Sequence, residues 1–251
     1  MSLKDRLNLN NPKEPSSEIF KTISTEEKDA YNNVFEKLLE ENSNIIVCSP
    51  ISIPTYNALN FLCSKIPNNK RLVGIGTNLL LNPNEIIKFE PDTKNLSKEL
   101  IKTALSLNPY KIILQDFDGI EAVDIFKMIN SNIKNIISAV NAQDAEKALR
   151  QIELNLYMNG VQIPENLMKE MITELVDNII FVEQSGKNYF ISKIYSVQGL
   201  KNNEYVISDI YKFKKSPTKT NKKIVTDEII VPKKKNVLAE KLKRKKINKI
   251  F

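Results

Sequence analysis

The stretch that decides the fold reads N-P-Y-K-I-I-L-Q-D-F-D-G and occupies residues 108–119. Its apolar run ends in polar residues that include Asp116, and helix-like sequence follows a turn with a glycine. A second apolar run, residues 136–140, ends in Asn141 and also leads into helix-like sequence. Strands that end in polar residues and feed helices build an open parallel sheet, whose ligands bind at the carboxyl ends of the strands. The sequence therefore predicts an α/β fold with a candidate ligand site at Asp116 and Asn141.

Apolar patterns on both sides of this stretch extend the predicted sheet and its flanking helices. After residue 177 three strand-like runs are joined by turns at 185–188 and 199–203, which predicts an antiparallel C-terminal meander. The predicted strands are Asn44–Cys48, Arg71–Ile75, Ile86–Phe89, Lys111–Leu114, Ile136–Val140, 178–183, 189–196 and 205–211. The predicted helices are 24–41, Tyr56–Ile66, Leu96–Leu107, Ile120–Met128, Ala142–Tyr157 and Pro164–Val176, with a loop from Ser49 to Pro54.

Composition excludes several classes of chemistry. The chain has no histidine, which rules out histidine-based triads, general bases and metal ligands. Its two cysteines, Cys48 and Cys63, lie in apolar contexts, so we expect buried thiols in a reducing compartment and no disulfide framework. No apolar run approaches the length of a membrane span, and we expect a cytoplasmic protein.

Charge divides the chain into a mildly acidic part and a strongly basic tail. The net charge is +7, yet residues 212–251 alone carry 15 Lys or Arg against 3 acids, a balance of +12, so residues 1–211 carry −5. We expect a flexible N-terminal arm over 1–23, a domain over 24–211, and a disordered tail over 212–251 with a short helix at 237–247. Such a tail is suited to an anionic membrane, to nucleic acid, to an acidic partner, or to no partner at all.

Several blocks match one family in order and spacing. Residues 108–122 correspond to a family block R-P-D-R-I-I-V-G-E-V-R-G-x-E-A, and residues 138–143, S-A-V-N-A-Q, correspond to its S-T-x-H-A-N block. Residues 148–153 match its A-L-x-R-L-E block, and 44–67 align with its Walker A segment and the helix after it. The chain resembles the motor domain of type II/type IV secretion ATPases over roughly 24–211, most closely the CpaF-type (Tad pilus) branch. The resemblance implies a RecA-like P-loop NTPase fold with a mostly parallel twisted sheet, and ring-forming relatives.

The resemblance also shows where this chain departs from the family. A P-loop works because glycines let backbone N–H groups wrap the phosphates, while a lysine neutralises them and a Ser/Thr hydroxyl holds magnesium. The family's catalytic glutamate falls in the pair Gly76-Thr77, and its His-box histidine falls on Asn141. Only the acid of the Walker B strand is kept in kind, as Asp116. The positions of the Walker A loop are held by Ser49, Pro50, Ser52 and Pro54 in place of glycines, Thr55 in place of lysine, and Tyr56 in place of the Ser/Thr hydroxyl.

Two further motifs each allow two interpretations. The acids Asp116, Asp118, Glu121 and Asp124 are candidate ligands of a divalent cation, or alternatively acids that favour a helix N-terminus. The triplet Ser185-Gly186-Lys187 suggests a phosphate loop, but its position between two strand patterns favours a hairpin turn.

The sequence favours a non-enzymatic role. We expect a pseudo-ATPase with no catalytic residue and no bound cofactor, acting as a scaffold or regulatory subunit in a type II/type IV-like secretion or pilus machine, peripheral to the inner face of the inner membrane. Its expected partners are an active ATPase paralogue or inner-membrane platform proteins, in a homo- or hetero-oligomer. One alternative is a divergent ATPase that uses ATP and magnesium, with Asp116 as a metal ligand. Another is an adaptor that binds membrane or nucleic acid through its basic tail.

Overall fold

The computed structural model of this chain describes residues 34–40, 42–76, 79, 86–89, 97–118, 120–127, 134–185 and 188–212. The predicted arm at 1–23, the start of the first helix and the tail beyond Lys212, with its helix at 237–247, lie outside these residues. The helices are α1 (34–40), α2 (Ser52–Ser64), α3 (Ser97–Ser106), α4 (Ile120–Lys127), α5 (Ala145–Met158) and α6 (Glu165–Leu175). The strands are β1 (Ile45–Ser49), β2 (Leu72–Ile75), β3 (Ile86–Phe89), β4 (Lys111–Leu114), β5 (Ile136–Asn141), β6 (Asn178–Ser185), β7 (Asn188–Lys201) and β8 (Glu204–Lys212).

The strands form one sheet of mixed direction, in the order β3-β2-β4-β5-β1-β6-β7-β8. Neighbours from β3 to β6 are parallel, and β7 and β8 are added antiparallel. The predicted mostly parallel sheet with a C-terminal antiparallel meander is therefore confirmed. The strands of the parallel part read as unbroken apolar runs because helices cover both faces of the sheet.

Two helical layers enclose the sheet and give the fold its two apolar cores. One core joins the sheet to α3, α4, α5 and α6 and contains Leu149, Ile152 and Met168, all fully buried. The other joins the opposite face to α1 and α2, where the rings of Phe35 and Phe61 meet edge to face at 5.6 Å. The carboxyl ends of β4, β5 and β1 consequently form a continuous edge between the two helical layers.

Three predicted boundaries differ from the structure by more than two residues, each for a local reason. Helix α2 begins at Ser52 rather than at Tyr56, because a proline in the first helical turn has no obligatory N–H bond to lose. Helix α5 begins at Ala145 rather than at Ala142, because the Asp144 side chain accepts a hydrogen bond from the Lys147 N–H at 2.7 Å and caps the helix.

The third boundary lies in the last hairpin. The turn was predicted over 199–203, but β7 continues to Lys201 and the reversal uses Asn202 and Asn203 alone, both with positive φ (53° and 63°). Two asparagines fit such a turn because asparagine tolerates the left-handed conformation. Gly199, with φ of 137°, lies at a β-bulge instead of in the turn. At the other hairpin Ser185 pairs with Asn188 across antiparallel β6 and β7, as expected for a turn rather than a phosphate loop.

Among the described residues no helix is both long and apolar enough to cross a membrane.

Candidate functional site

The sequence-predicted site residues gather at the carboxyl edge of three adjacent strands. Ser49 ends β1, Asn141 ends β5, and Asp116 follows β4 by two residues. These strands are neighbours in the order β4-β5-β1, so the fold places the three positions side by side. The Ala142 N–H donates to the Ser49 carbonyl at 2.8 Å, which ties the ends of β1 and β5 together.

The connection from β1 to α2 is short. Between the last strand residue, Ser49, and the first helical residue, Ser52, only Pro50 and Ile51 remain, and Pro50 has no N–H. A phosphate-binding nest needs successive free backbone N–H groups in a non-helical loop. Here Ser52 and Pro54 belong to the first turn of α2, and the residue before the helix is the apolar Ile51, which is 49% exposed. The segment therefore lacks the backbone shape that cradles phosphates.

Thr55, at the position of the family's lysine, is turned into the helix. Its side chain is fully buried and its hydroxyl donates to the Ile51 carbonyl at 2.9 Å. A hydroxyl bonded to the preceding helical turn carries no charge, and its proton is already donated within the chain. Thr55 therefore contributes to the start of α2 and supplies nothing to an anion.

Tyr56 makes the central contact of the site. Its hydroxyl donates to Asp116, at 2.9 Å from Oδ2 and 3.1 Å from Oδ1. Gln115 Nε2 donates to the same Oδ2 at 3.1 Å. The carboxylate at the position of the Walker B acid is thus engaged by side chains of the chain itself. The tyrosine at the magnesium-hydroxyl position bridges α2 and the end of β4 directly.

The electrostatics agree with this contact. Burial raises the pKa of Asp116, while hydrogen bonds from Tyr56 and Gln115 partly offset the rise by favouring the ionised form. Burial and the hydrogen bond to Asp116 raise the pKa of Tyr56. The tyrosine therefore remains a protonated donor at neutral pH and the contact persists there.

Gly76, in the pair aligned with the family's acidic residues, packs directly on Gln115. It has φ of 143°, a conformation that favours glycine, and a Cβ atom there would stand 2.4 Å from Gln115 Cβ. A carboxylate side chain at this position would therefore collide with the side chain of Gln115. Gln115 lies between Gly76 and Asp116 and contacts both, an arrangement that depends on tertiary contact and leaves no signal in the local sequence.

Asn141, at the position of the His-box histidine, is exposed and binds the start of α2. Its Nδ2 donates to Ser52 Oγ at 2.9 Å. Together with the Tyr56–Asp116 contact, this bond fastens the β1–α2 connection to the ends of both β4 and β5. In an open α/β sheet a ligand binds at the carboxyl ends of the strands. In this chain, side-chain hydrogen bonds connect those strand ends to the start of α2.

The acidic group after β4 does not form a cluster. Asp118 is exposed and Asp124 is only partly exposed; the Oδ2 atom of Asp124 has no hydrogen-bond partner among the described residues. The Glu121 side chain lies outside the described residues. Within the part of the chain that the structure describes, no group of three or more acidic or thiol side chains is arranged to hold a metal ion. The turn after Asp116 is instead held by α5, because Asn155 and Asn159 donate to the carbonyls of Phe117 and Asp118 at 2.8 and 2.9 Å.

Known structures share this fold. The VirB11 ATPase of the Brucella suis type IV secretion system, solved with sulphate, aligns with a TM-score of 0.58 over 78% of this chain and 62% of its own, at 20% identity. The ATPase DotB of Yersinia pseudotuberculosis aligns with a TM-score of 0.51 over 72% of this chain and 48% of its own, at 13% identity. At such identities the likeness shows the fold alone, and it confirms the predicted RecA-like NTPase fold.

The sequence of this chain is also similar to those of several curated proteins. The conjugal transfer protein TrbB of Rhizobium radiobacter is 27% identical over 122 residues, which cover 49% of this chain and 36% of TrbB. The type IV secretion protein VirB11 of Bartonella quintana is 24% identical over 162 residues, covering 61% and 46%. PtlH of Bordetella pertussis is 24% identical over 169 residues, covering 62% and 50%.

The chain spans half or less of the length of these curated relatives. No protein-family model matches it. Sequence similarity and fold nevertheless point the same way, and they relate this chain to the ATPases of bacterial secretion systems.

Proposed function

We propose that this chain is a pseudo-ATPase related to the secretion motor ATPases, in the CpaF-type (Tad pilus) branch, with a degenerate Walker A loop. It acts as a scaffold or regulatory subunit of a type II/type IV-like secretion or pilus machine, beside an active ATPase paralogue or platform proteins at the inner face of the inner membrane. The observation that carries the proposal is the hydrogen bond from the Tyr56 hydroxyl to Asp116.

Phosphoryl transfer depends on positioning and on electrostatic stabilisation by several groups at once. At this site the lysine position is a buried threonine, Thr55, and the magnesium-hydroxyl position is a tyrosine bonded to Asp116. Gly76, one of the pair aligned with the family's acidic residues, leaves no space for a side chain. These features support a site that binds neither ATP nor magnesium and that has no catalytic residue.

The same bonds suit a scaffold. The contacts Tyr56–Asp116 and Asn141–Ser52 join α2 to the ends of β4 and β5 through the chain's own side chains. A subunit whose strand ends are held by its own side chains presents a constant surface to its neighbours. Ring-forming relatives make a homo- or hetero-oligomer the expected assembly.

Hydrolysis by the purified chain tests the enzymatic part of the proposal. We expect the chain and its matched variant Asp116→Asn to release phosphate from ATP at the same rate in the presence of magnesium. A rate that both proteins share would come from contaminating enzymes. A turnover that Asp116→Asn abolishes would instead establish a divergent ATPase with an unusual loop.

Co-purification with a paralogue that has an intact P-loop, encoded in the same genome, tests the scaffold part. We expect the pair to associate and the paralogue's ATPase rate to change on association. The same association is expected when the Lys and Arg residues of 241–246 are replaced by glutamine. Loss of the association in that variant would favour an adaptor that works through its basic tail.

A further inference from the structure

Helix α5 carries an exposed apolar patch near its C-terminal end. Leu154, Tyr157 and Met158 are 49%, 40% and 76% exposed. Residues at spacings i, i+3 and i+4 lie on one face of a helix, so the three side chains form a single surface. Half of the six exposed large apolar side chains among the described residues are in this patch. Scattered exposed apolar residues are ordinary, but grouped ones mark interaction sites.

The surroundings of the patch are acidic. Glu165, at the start of α6, has a side chain that is 61% exposed and forms an ion pair with Lys169 at 2.6 Å. Burial raises the pKa of Tyr157, Glu153 and Glu165 raise it further, and Lys169 lowers it, so two carboxylates and one ammonium group lie within electrostatic range of the patch. The segment 144–177, which contains α5 and α6, has seven acids and three bases, a balance of −4.

The tail has the complementary chemistry. Residues 237–247 read V-L-A-E-K-L-K-R-K-K-I, with five bases and one acid, a balance of +4, and four branched aliphatic side chains. A binding segment for this patch needs apolar side chains for its centre and cations for its rim. No other stretch of eleven residues in the chain combines so large a positive balance with as many aliphatic side chains.

We propose that residues 237–247 of the same chain dock on the patch formed by Leu154, Tyr157 and Met158, with their lysines facing the acidic rim.

The link between the two is long enough. Strand β8 ends at Lys212, so 24 residues separate it from the docking segment. An extended link of that length spans up to about 80 Å, whereas β8 itself is about 30 Å long. A tethered segment also has an effective concentration in roughly the millimolar range, which favours the segment's own chain over a second copy in dilute solution. Docking would bury apolar surface of both the patch and the segment, and it would bring the basic segment next to the acidic residues of α5 and α6.

Cysteine cross-linking tests this docking in the full chain. The native Cys48 and Cys63 are buried, and burial raises the pKa of the Cys63 thiol to about 12, so neither competes for a thiol reagent. The test variant carries Met158→Cys and Leu242→Cys and is treated with a short bismaleimide. The control carries Lys37→Cys, an exposed site on α1 in the opposite helical layer, and the same Leu242→Cys.

We expect the test pair to form an intramolecular cross-link at least about tenfold faster than the control pair, as docking raises the local concentration. High salt should reduce the difference, because it screens the attraction between the segment and the acidic rim. Equal rates in the two variants would overturn the proposal. A product that is mainly dimeric at low protein concentration would also overturn it, because the tail of a second copy would then be the occupant.

A second measurement uses the native tail. Trypsin cleaves after Lys and Arg, so docking should protect the bonds within 237–247. The double variant Leu154→Ser, Met158→Ser changes two exposed side chains and should leave the fold intact. We expect cleavage within 237–247 to become several-fold faster in this variant, and an unchanged rate would contradict docking at the patch.

Discussion

Replacing Tyr56 by phenylalanine removes the hydroxyl that donates to Asp116 and leaves the ring in place. Among the described residues, the carboxylate then keeps only the bond from Gln115 Nε2 at 3.1 Å. A hydrogen bond to a charged group contributes about 1.5–3 kcal/mol, and the lower end applies because both side chains are only partly buried. We expect Tyr56→Phe to reduce the free energy of unfolding by about 1.5 kcal/mol. That loss corresponds to a fall in melting temperature of roughly 3–6 °C for a domain of this size.

Urea unfolding followed by circular dichroism measures the change. The matched control is Tyr157→Phe, because the Tyr157 hydroxyl is 3.5 Å from the Ile163 carbonyl and its side chain is 40% exposed. We expect the control to change stability by less than about 0.5 kcal/mol. If Tyr56→Phe is as stable as its control, the Tyr56–Asp116 contact does not hold the site together.

A double-mutant cycle with Asp116→Asn isolates the pair. We expect a coupling free energy of about 1–2 kcal/mol between positions 56 and 116 at neutral pH.

Because the folded-state pKa of Asp116 is raised, the carboxyl group binds its proton more tightly in the folded chain. The stability of the wild type relative to Asp116→Asn should therefore fall as pH rises from below the unfolded-state pKa through the raised folded-state pKa. A relative stability that increases with pH over that range would contradict the raised pKa.

Two further substitutions test neighbouring contacts. Gly76→Ala should reduce the free energy of unfolding by about 2–3 kcal/mol, because a Cβ atom would meet Gln115 at 2.4 Å. The control Gly160→Ala has nothing within 4 Å of the added Cβ atom and should cost only the strain of its positive φ. Equal losses of stability for the two variants in urea unfolding would refute the clash at Gly76. Tyr205→Phe removes a 2.6 Å hydrogen bond to Glu153 that joins β8 to α5, and we expect a loss of about 1–2 kcal/mol in the same assay; an unchanged stability would show that the bond does not fasten the hairpin.

The positions of the strands along the chain, and the edge of the sheet that carries the candidate site, were predictable from local patterns. Apolar runs such as residues 112–114 and 136–140 must be buried strands, and the polar residues after them must lie at one edge of a parallel sheet. The departures at the Walker A positions could also be read directly, since proline lacks an N–H whatever the fold.

The sequence could not show which of the substituted site residues contact each other in the folded chain. Tyr56 and Asp116 are 60 residues apart, and nothing in either local pattern indicates that the hydroxyl reaches the carboxylate. The early start of α2 was missed because Pro54 looks like a loop residue, although a proline is compatible with a first helical turn. Gly199 was assigned to a turn because glycine marks turns and bulges alike, and only the register distinguishes the two.

The measurement that tests the central claim most directly is the melting temperature of the full chain with and without saturating ATP and magnesium. A ligand at 100 times its dissociation constant stabilises a folded protein by about 2.7 kcal/mol. That free energy corresponds to a rise of roughly 5–10 °C for a domain of this size. The closed contact between Tyr56 and Asp116 predicts no change in melting temperature. A rise of several degrees that is lost in Asp116→Asn would contradict the account.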